Sequence, residues 1–526
     1  MKLTLTFLIA LLLTSLPSLG AVAADEPIRI GRQRQVFLDD FIIEHTEHLT
    51  RRVQQARKFE GNPLFVKQHD WEPAGYVVPS VMCDEEEKIF KAWLDGYGIG
   101  VFYFTSKDGI TWERPLMRLF PKFDSEPTNR VILSGSEIDI KDAPPDKLDD
   151  MRSREVGWKY FGHCSGVIKD MRDPDPQRRY KMGYLWINRQ FQRPSATVAG
   201  KLIAMGAAFS PDGIHWTPMN EPVSYATVDL PFHINFDEQR QRWVLYGRAV
   251  GVVTPEKKAA HADDPNLAYN NGRSVIRCES PDFIHWTPEK GDLVLAADGQ
   301  DSTITEIYDM RRVAYEGINI GFVHMFHNEP TGVTLPVQLG ISRDNKTWQR
   351  LSDRSPFLAM GGLGEWDRGV ISPAVSDPIV IGDELRFYYS GRNQLHSTRW
   401  KFADEPKLLP ALPSHRGALG FATIKRDRFV AMEADYRPGI LRTKPFIHDG
   451  DTLHVNAAIK FGALTVSLLD DQGNSLQKVT ITGKDEVALP IPELTKIAAR
   501  KGQPIRLEFA VQNGRLFSFW VQSTAK

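Results

Sequence analysis

Three cysteines in 526 residues is a small number. Cys83, Cys164 and Cys278 stand far apart without C-x-x-C spacing, and an odd count leaves at least one thiol unpaired. Each reads as a buried free cysteine. Only Cys164 has an adjacent base, His163, of the kind a nucleophile needs. An excess of one charge is also missing: 65 basic residues oppose 66 acidic ones. No global field therefore draws nucleic acid or an anionic membrane. No Lys/Arg run interleaves with aromatics to track a phosphate backbone. The chain has no GxGxxG, no P-loop and no alternation of strands with helices, which sets aside a doubly wound α/β fold.

Long apolar runs are confined to the first residues. Lys2 precedes the uncharged stretch LTLTFLIALLLTSL, and SLGAVAA follows with Ala21 and Ala23 in an A-x-A arrangement. Residues 1–24 read as a secretory signal cleaved near Ala23 or Ala24, since the run is shorter than the ~20 residues of a span. The expectation is a secreted or periplasmic mature chain without a membrane span. At 42% hydrophobic and 25% charged it has the composition of an ordinary globular protein. Its length calls for two or three folding units.

What the chain does have is a phrase used four times: SKDGITW at 106–112, SPDGIHW at 210–216, SPDFIHW at 280–286 and SRDNKTW at 342–348. Asp-Gly or Asp-Asn after a β-rich run signals a tight turn, because Gly and Asn accept positive φ and Asp bonds local backbone. Trp then opens the next strand with a large apolar face. The phrase reads as scaffold, joining two outer strands of a small antiparallel sheet. A second signal, a polar turn followed by an aromatic strand, recurs from Cys83, Arg172, Phe236, Tyr315 and Ile381. The fifth unit lacks the Ser-Asp-Trp phrase, and GALGFATIKRDRFVAM (417–432) is expected as its outer hairpin. Five such units predict a five-bladed β-propeller over residues 25–435, in preference to a solenoid of shorter, more uniform coils. Alternating strands from DTLHVNAA to RLFSFWVQ predict a β-sandwich over 436–526. The expected class is all-β, a five-bladed β-propeller followed by a C-terminal β-sandwich.

In a propeller the first residues of each innermost strand converge at one mouth. By this count blade one brings Asp70, Trp71 and Glu72, and blade two His163 and Asp170. Blade three brings Asp229 and His233, and blade four Asp301, Glu306 and Tyr308. Blade five brings Glu365, Trp366, Asp367 and Arg368. Glycoside cleavage needs one carboxyl group to protonate the leaving oxygen and one carboxylate to activate water or attack carbon. Crowded carboxylates raise one another's pKa, which keeps an acid usable near neutrality. Glu306 is expected as general acid and Asp229 as base or nucleophile. Glu72 is expected to orient substrate or stabilise the oxocarbenium-like transition state. Trp71, Tyr308 and Trp366 offer faces for sugars, Arg368 a donor for hydroxyls, a uronate or a sulfate, and Asp170 and His163 further polar contacts.

At these residues the chain resembles the five-bladed propeller glycoside hydrolases of families thirty-two and forty-three, and more closely secreted bacterial proteins described as family thirty-two-like. The resemblance is carried by QVFLDDFIIE, NPLFVKQHDWEPAGYVV, TSKDGITWERP, FDEQRQRWVLYGR, ESPDFIHWTP, GEWDRGV and the closing TKPF, LHVNA and RLFSFWVQ. It implies a carbohydrate substrate and hydrolysis by paired carboxylates. Glu306 with Tyr308 is similar to the acid-x-Tyr of those relatives. Other positions depart. The chain lacks an NDPNG-type motif, Arg172-Asp173-Pro174 falls in a DPDP turn, and Cys278-Glu279 belongs to an outer hairpin. Asp229 is followed by Leu230-Pro231-Phe232 in place of a short polar run. Fructan specificity is therefore not carried over.

Two rival readings stand beside the hydrolase: a non-catalytic carbohydrate-binding propeller, and a polysaccharide lyase using Tyr308, His163 and Arg368. No cofactor and no catalytic metal are expected. His324 and His327 are three apart on a strand, which turns them to opposite faces. A structural cation in the channel near His233 or His163 is the one metal role left open.

Overall fold

The computed structural model describes residues 26–523 except 74, 97–98, 122, 135–157, 159–160, 189–196, 199–200, 228, 330–331, 363, 394 and 397–416. The signal segment 1–24 lies outside the described residues. Five antiparallel sheets of four principal strands follow one another along the chain. Blade one is built from Val77–Asp84, Ile89–Asp95, Gly100–Ser106 and Arg130–Leu133. The first strands of the next blades are Phe161–Lys169, His233–Asp237, Thr305–Tyr315 and Val370–Pro373. These first strands touch their neighbours around a common axis, and Arg311 Nε donates to Pro373 O at 2.9 Å to link the fourth with the fifth.

Both faces of each sheet are apolar because each packs on two neighbours. Five buried clusters occupy the five interfaces. Trp93 and Tyr103 meet Met182 and Tyr184 between blades one and two, and Leu185 and Met205 meet Trp243 and Leu245 between two and three. Tyr246 meets Met310 and Trp348 between three and four, and Phe322 meets Leu385 and Tyr389 between four and five. Phe104 and Trp112 meet Tyr388 and Phe421 between one and five. The circle is closed.

The four-fold phrase fastens each of blades one to four to the blade before it. Ser106 Oγ accepts from Gly109 N at 2.8 Å, while Asp108 Oδ1 accepts from the amides of Ile110 and Thr111 at 2.8 Å. Asp212, Asp282 and Asp344 bind the backbone in the same way. The next position takes φ of 70°, 78°, 72° and 58° at Gly109, Gly213, Phe283 and Asn345. Phe283 holds this left-handed conformation while wholly buried against Trp243 and Trp286, so packing outweighs the backbone strain. The turn carbonyls then take donors from the preceding blade: Trp93 Nε1 reaches Gly213 O at 2.7 Å, and Tyr388 OH reaches Gly109 O at 2.6 Å.

Blade five differs from the expected hairpin at 417–432. Ala418–Lys425 is its third strand, but Val430–Ala434 leaves the blade and pairs with the terminal domain. The fourth strand is Arg57–Lys58 from the other end of the chain, with Lys58 opposite Ala422 and Arg57 opposite Thr423. Asn62 extends this seam by donating to Phe421 O at 2.8 Å and accepting from Phe421 N at 3.1 Å, as a strand backbone does.

The terminal domain is one hydrogen-bonded sheet of eleven strands around its own core. Thr452–Asp470 pairs along its first half with Gly514–Gln522 and along its second with Ile505–Gln512, and an irregularity at 459–463 turns it between them. Ile28–Gly31, Ile43–Glu47 and Thr50–Val53 join this sheet. The division at 435/436 is therefore corrected: residues 28–53 and 430–434, counted with the propeller, pair with the terminal domain.

Backbone amides hold Asp108 down to about 2. Burial opposes the same shift at Asp212, yet the backbone and ring of His215 bring it to about 2. These carboxylates are more acidic folded than the ~3.9 of an unfolded Asp. Their stabilisation is complete above about pH 4 and is lost as the pH falls through about 2. Asp212→Ala should cost about 1–2 kcal/mol in urea unfolding at pH 7, a difference that narrows toward pH 2.

Candidate active site

The ends of second strands lie beside the starts of first strands, so the mouth is lined by both. Asp229 precedes the first strand of blade three and keeps 54% side-chain exposure. Its Oδ2 accepts from Arg248 Nη1 at 2.7 Å and its Oδ1 from Leu230 N at 2.8 Å. Arg248 is buried at the end of the second strand, donates from Nε to Tyr308 O at 2.8 Å and lies 3.8 Å over the Tyr308 ring. Tyr308 stacks on Phe326 with centroids 5.4 Å apart, and Arg273 lies 4.3 Å over Phe326. Arg273 in turn holds Glu306, with Nη1 at 3.0 and 3.1 Å from the two carboxylate oxygens. Asp229 and Glu306 are thus brought to the two ends of one stack of cation, ring, ring and cation.

Their surroundings are opposite. Glu306 has no side-chain exposure, and its oxygens also take the amides of Asn271 and Arg273 at 3.3 and 2.9 Å. Asp229 faces solvent. Glu72 is bound within its own blade: it is 3% exposed and accepts from Arg114 Nε and Tyr76 OH at 2.7 Å and from the amides of Gln68 and His69. Burial raises its pKa, but these donors, Arg114 first, bring it below the ordinary glutamate value. The structure makes Glu72 a fastener for its own segment, which corrects the transition-state role expected of it.

Tyr308 OH lies 2.7 Å from His396 Nε2. Burial, and after it the charges of Arg392, Arg248 and Arg273, pushes His396 down to about 3, so its imidazole is neutral. Burial raises the Tyr308 hydroxyl. His163 Nδ1 lies 3.0 Å from the fully buried carboxylate of Asp95, which also accepts from Cys164 N at 2.8 Å. Burial and Asp95 push the Cys164 thiol up, away from the range of a nucleophile. All three cysteines are free.

The remaining expected residues divide. Trp71 stacks on His69 at 4.1 Å and donates to Asn129 Oδ1 at 3.3 Å, so one face is covered. Trp366 lies against Tyr389 at 5.5 Å and over Gly391, where a Cβ would come within 2.6 Å of its ring. Arg368 is partly exposed and makes no side-chain ion pair or hydrogen bond among the described residues. Asp170 is separated from the group. It follows the far end of the strand that carries His163 near its start, and is bound by Arg172 Nε at 2.8 Å and Lys181 Nζ at 3.1 Å. Its expected contact with substrate is corrected to an ion pair at the opposite rim. Among the described residues no group of three His, Cys, Asp or Glu is placed to hold a metal ion.

Arg248, Arg273, Phe326, His396 and Asp95 escaped the sequence reading. A signal existed for the first: VLYGR and YYSGR close the second strands of blades three and five, repeating Gly-Arg where those strands reach the mouth.

No protein-family model matches the chain, and none of the curated proteins matches it. Several solved structures do. An N-acetylgalactosamine deacetylase from F. plautii, in complex with blood group B trisaccharide, is 15% identical, over 73% of this chain and 97% of its own, with a TM-score of 0.39. A family 43 arabinoxylan arabinofuranohydrolase from Bacillus subtilis is 11% identical over 89% of this chain and 99% of its own, at 0.39. A thermostable family-43 glycoside hydrolase is 14% identical over 68% and 92%, at 0.38.

Arg273→Met leaves the Glu306 carboxylate buried and unpaired and should cost about 3–5 kcal/mol in urea unfolding. Adding Glu306→Gln should restore part of that loss. Arg248→Met strands a carboxylate that water reaches, and should cost less.

Proposed function

We propose that the protein is an exported hydrolase of glycosidic bonds, released by cleavage near Ala23 or Ala24, that acts on a poly- or oligosaccharide at the propeller mouth. The observation that carries this reading is the solvent-facing Asp229, held on two sides beside a buried acid and two arginines. Its fixed oxygens and free lone pairs suit a base or a nucleophile. Glu306 is the proton donor in this reading, and its carboxylate must release Arg273 and take up a proton from solvent before it gives one to the leaving oxygen. Arg368 supplies a donor for substrate, and Trp71 and Trp366 offer their uncovered faces to sugar rings. Tyr308, backed by His396 and Arg248, borders the same space.

One observation favours a second reading, a carbohydrate-binding propeller without turnover: of the three expected catalytic carboxylates only Asp229 is exposed.

A panel of defined oligosaccharides, analysed for new reducing ends, separates the two. Hydrolysis supports the first reading, and binding without products supports the second. On a cleaved substrate Asp229→Asn should lower kcat by about 10²–10⁴-fold. Glu306→Gln should lose as much on natural linkages but recover on aryl glycosides whose leaving group needs no proton. Near-full activity in both variants overturns the assignment.

A further inference from the structure

The second and third strands of blade three, Arg242–Ala249 and Ser274–Ser280, are joined at the mouth by a long loop. Its neck is closed by Gly251 N, which donates to Asn271 O at 2.7 Å, and by Val252 N, which donates to Gly272 O at 3.1 Å. Its body is sewn to the chain that enters blade four. Lys257 is buried and donates from Nζ to Ser302 O at 2.8 Å and Thr305 O at 2.6 Å, and His261 Nε2 lies 2.8 Å from Asp301 O. Asn270 continues the seam, with Nδ2 donating to Thr303 O at 2.8 Å and Oδ1 accepting from Gly272 N at 2.8 Å. Asn271 N then donates to Glu306 Oε1 at 3.3 Å. The loop is a fixed wall of the mouth.

The neck presents an uncharged surface. The two stretches that meet there, AVGVVTP (249–255) and PNLAYNNG (265–272), contain no charged residue. Val250 is 49% exposed and Tyr269 is 51% exposed. Val250 stands just beyond Arg248, the partner of Asp229, and Tyr269 shortly before Arg273, the partner of Glu306. Asn271 is exposed, and its side-chain amide makes no hydrogen bond among the described residues. An aromatic face and an open amide, both carried on a backbone pinned beside the acids, match the two sides of a sugar ring: C–H groups on its face and hydroxyls at its edge. A carboxylate or sulfate would find no cation on these two stretches.

We propose that the neck of this loop is a subsite for one neutral sugar ring of the bound chain, with Tyr269 stacked on its C–H face and the Asn271 amide bonded to its hydroxyls. The wall is ordered before the sugar arrives, so little freedom is lost when it binds. This assignment rests on the carbohydrate reading of the mouth and adds to it the chemical class of one sugar.

The test uses the full chain with neutral gluco-, xylo-, manno- and galacto-oligosaccharides of increasing length, beside uronate- and sulfate-bearing chains. On a neutral series that is cleaved, KM should fall as the chain grows to fill the subsite. Tyr269→Ala should raise KM for the longer chains by about 10-fold, with a smaller change in kcat, and so remove the gain from lengthening. Tyr269→Phe keeps the ring and should keep the gain, and Asn271→Ala should lose part of it. For a series bound without turnover, Kd measured by calorimetry takes the place of KM. An unchanged KM or Kd in Tyr269→Ala overturns the subsite and leaves the carbohydrate reading standing. Cleavage or binding of uronate- or sulfate-bearing chains alone overturns the neutral class in the same way. If the unaltered protein takes no glycan at all, both the subsite and the carbohydrate reading fall.

Discussion

A hydrogen bond from a side chain of one blade to a turn carbonyl of the next fastens four of the five seams, and the ring depends on it. Trp93 bonds the turn of blade two and Tyr388 bonds the turn of blade one. The Ser-x-Asp phrase makes this contact available by using its own side chains to fold the turn, which leaves the backbone carbonyl free for the neighbour. A four-stranded sheet of this size cannot bury two apolar faces alone. Fastened to two neighbours, it buries both, and the first strands are held around a shared axis. Blade five has no such phrase. Strand Arg57–Lys58 and the Asn62 amide take its place, across 359 residues of chain between Asn62 and Phe421. Loop entropy opposes that contact, and the aromatic packing of Phe59 on Phe421 at 4.6 Å offsets it.

Closure gives the mouth its electrostatics. Side chains from blades three and four meet as Asp229–Arg248 and Arg273–Glu306, with Tyr308 and Phe326 between the cations. The rings exclude water from one side of each guanidinium, which strengthens its hold on the acid. The consequence is selection by exposure: one acid is locked inside and one is presented to solvent. Glu72 is likewise enclosed by donors, all of them from its own blade.

The architecture was legible because its signals are local. Asp-Gly turns and alternating aromatic strands report on a few residues at a time, and five of them imply a ring. The N-terminal strands were not legible. IRIG, IEHTE and TRRV carry no mark that their partners lie more than three hundred residues away. At the mouth, counting along first strands names Asp229, Glu306 and Tyr308 but overlooks the second strands, whose ends carry Asp95, Arg248 and Phe326. Asp170 was placed at the wrong rim because a strand has two ends and the count did not fix which one it follows. The burial of Glu306 was out of reach, since Arg273 stands in another blade and nothing in its own sequence names its partner.

The ring closes with the N-terminal strand Arg57–Lys58 as its last member. Amide hydrogen exchange on the full chain tests this most directly. The amides of Phe59 and Leu64, which donate to Phe421 O and Leu419 O, should exchange as slowly as those of Ala418–Lys425 in the body of blade five. Exchange of Phe59 and Leu64 at the rate of an unstructured peptide, while 418–425 stay protected, would show an open ring and contradict the account.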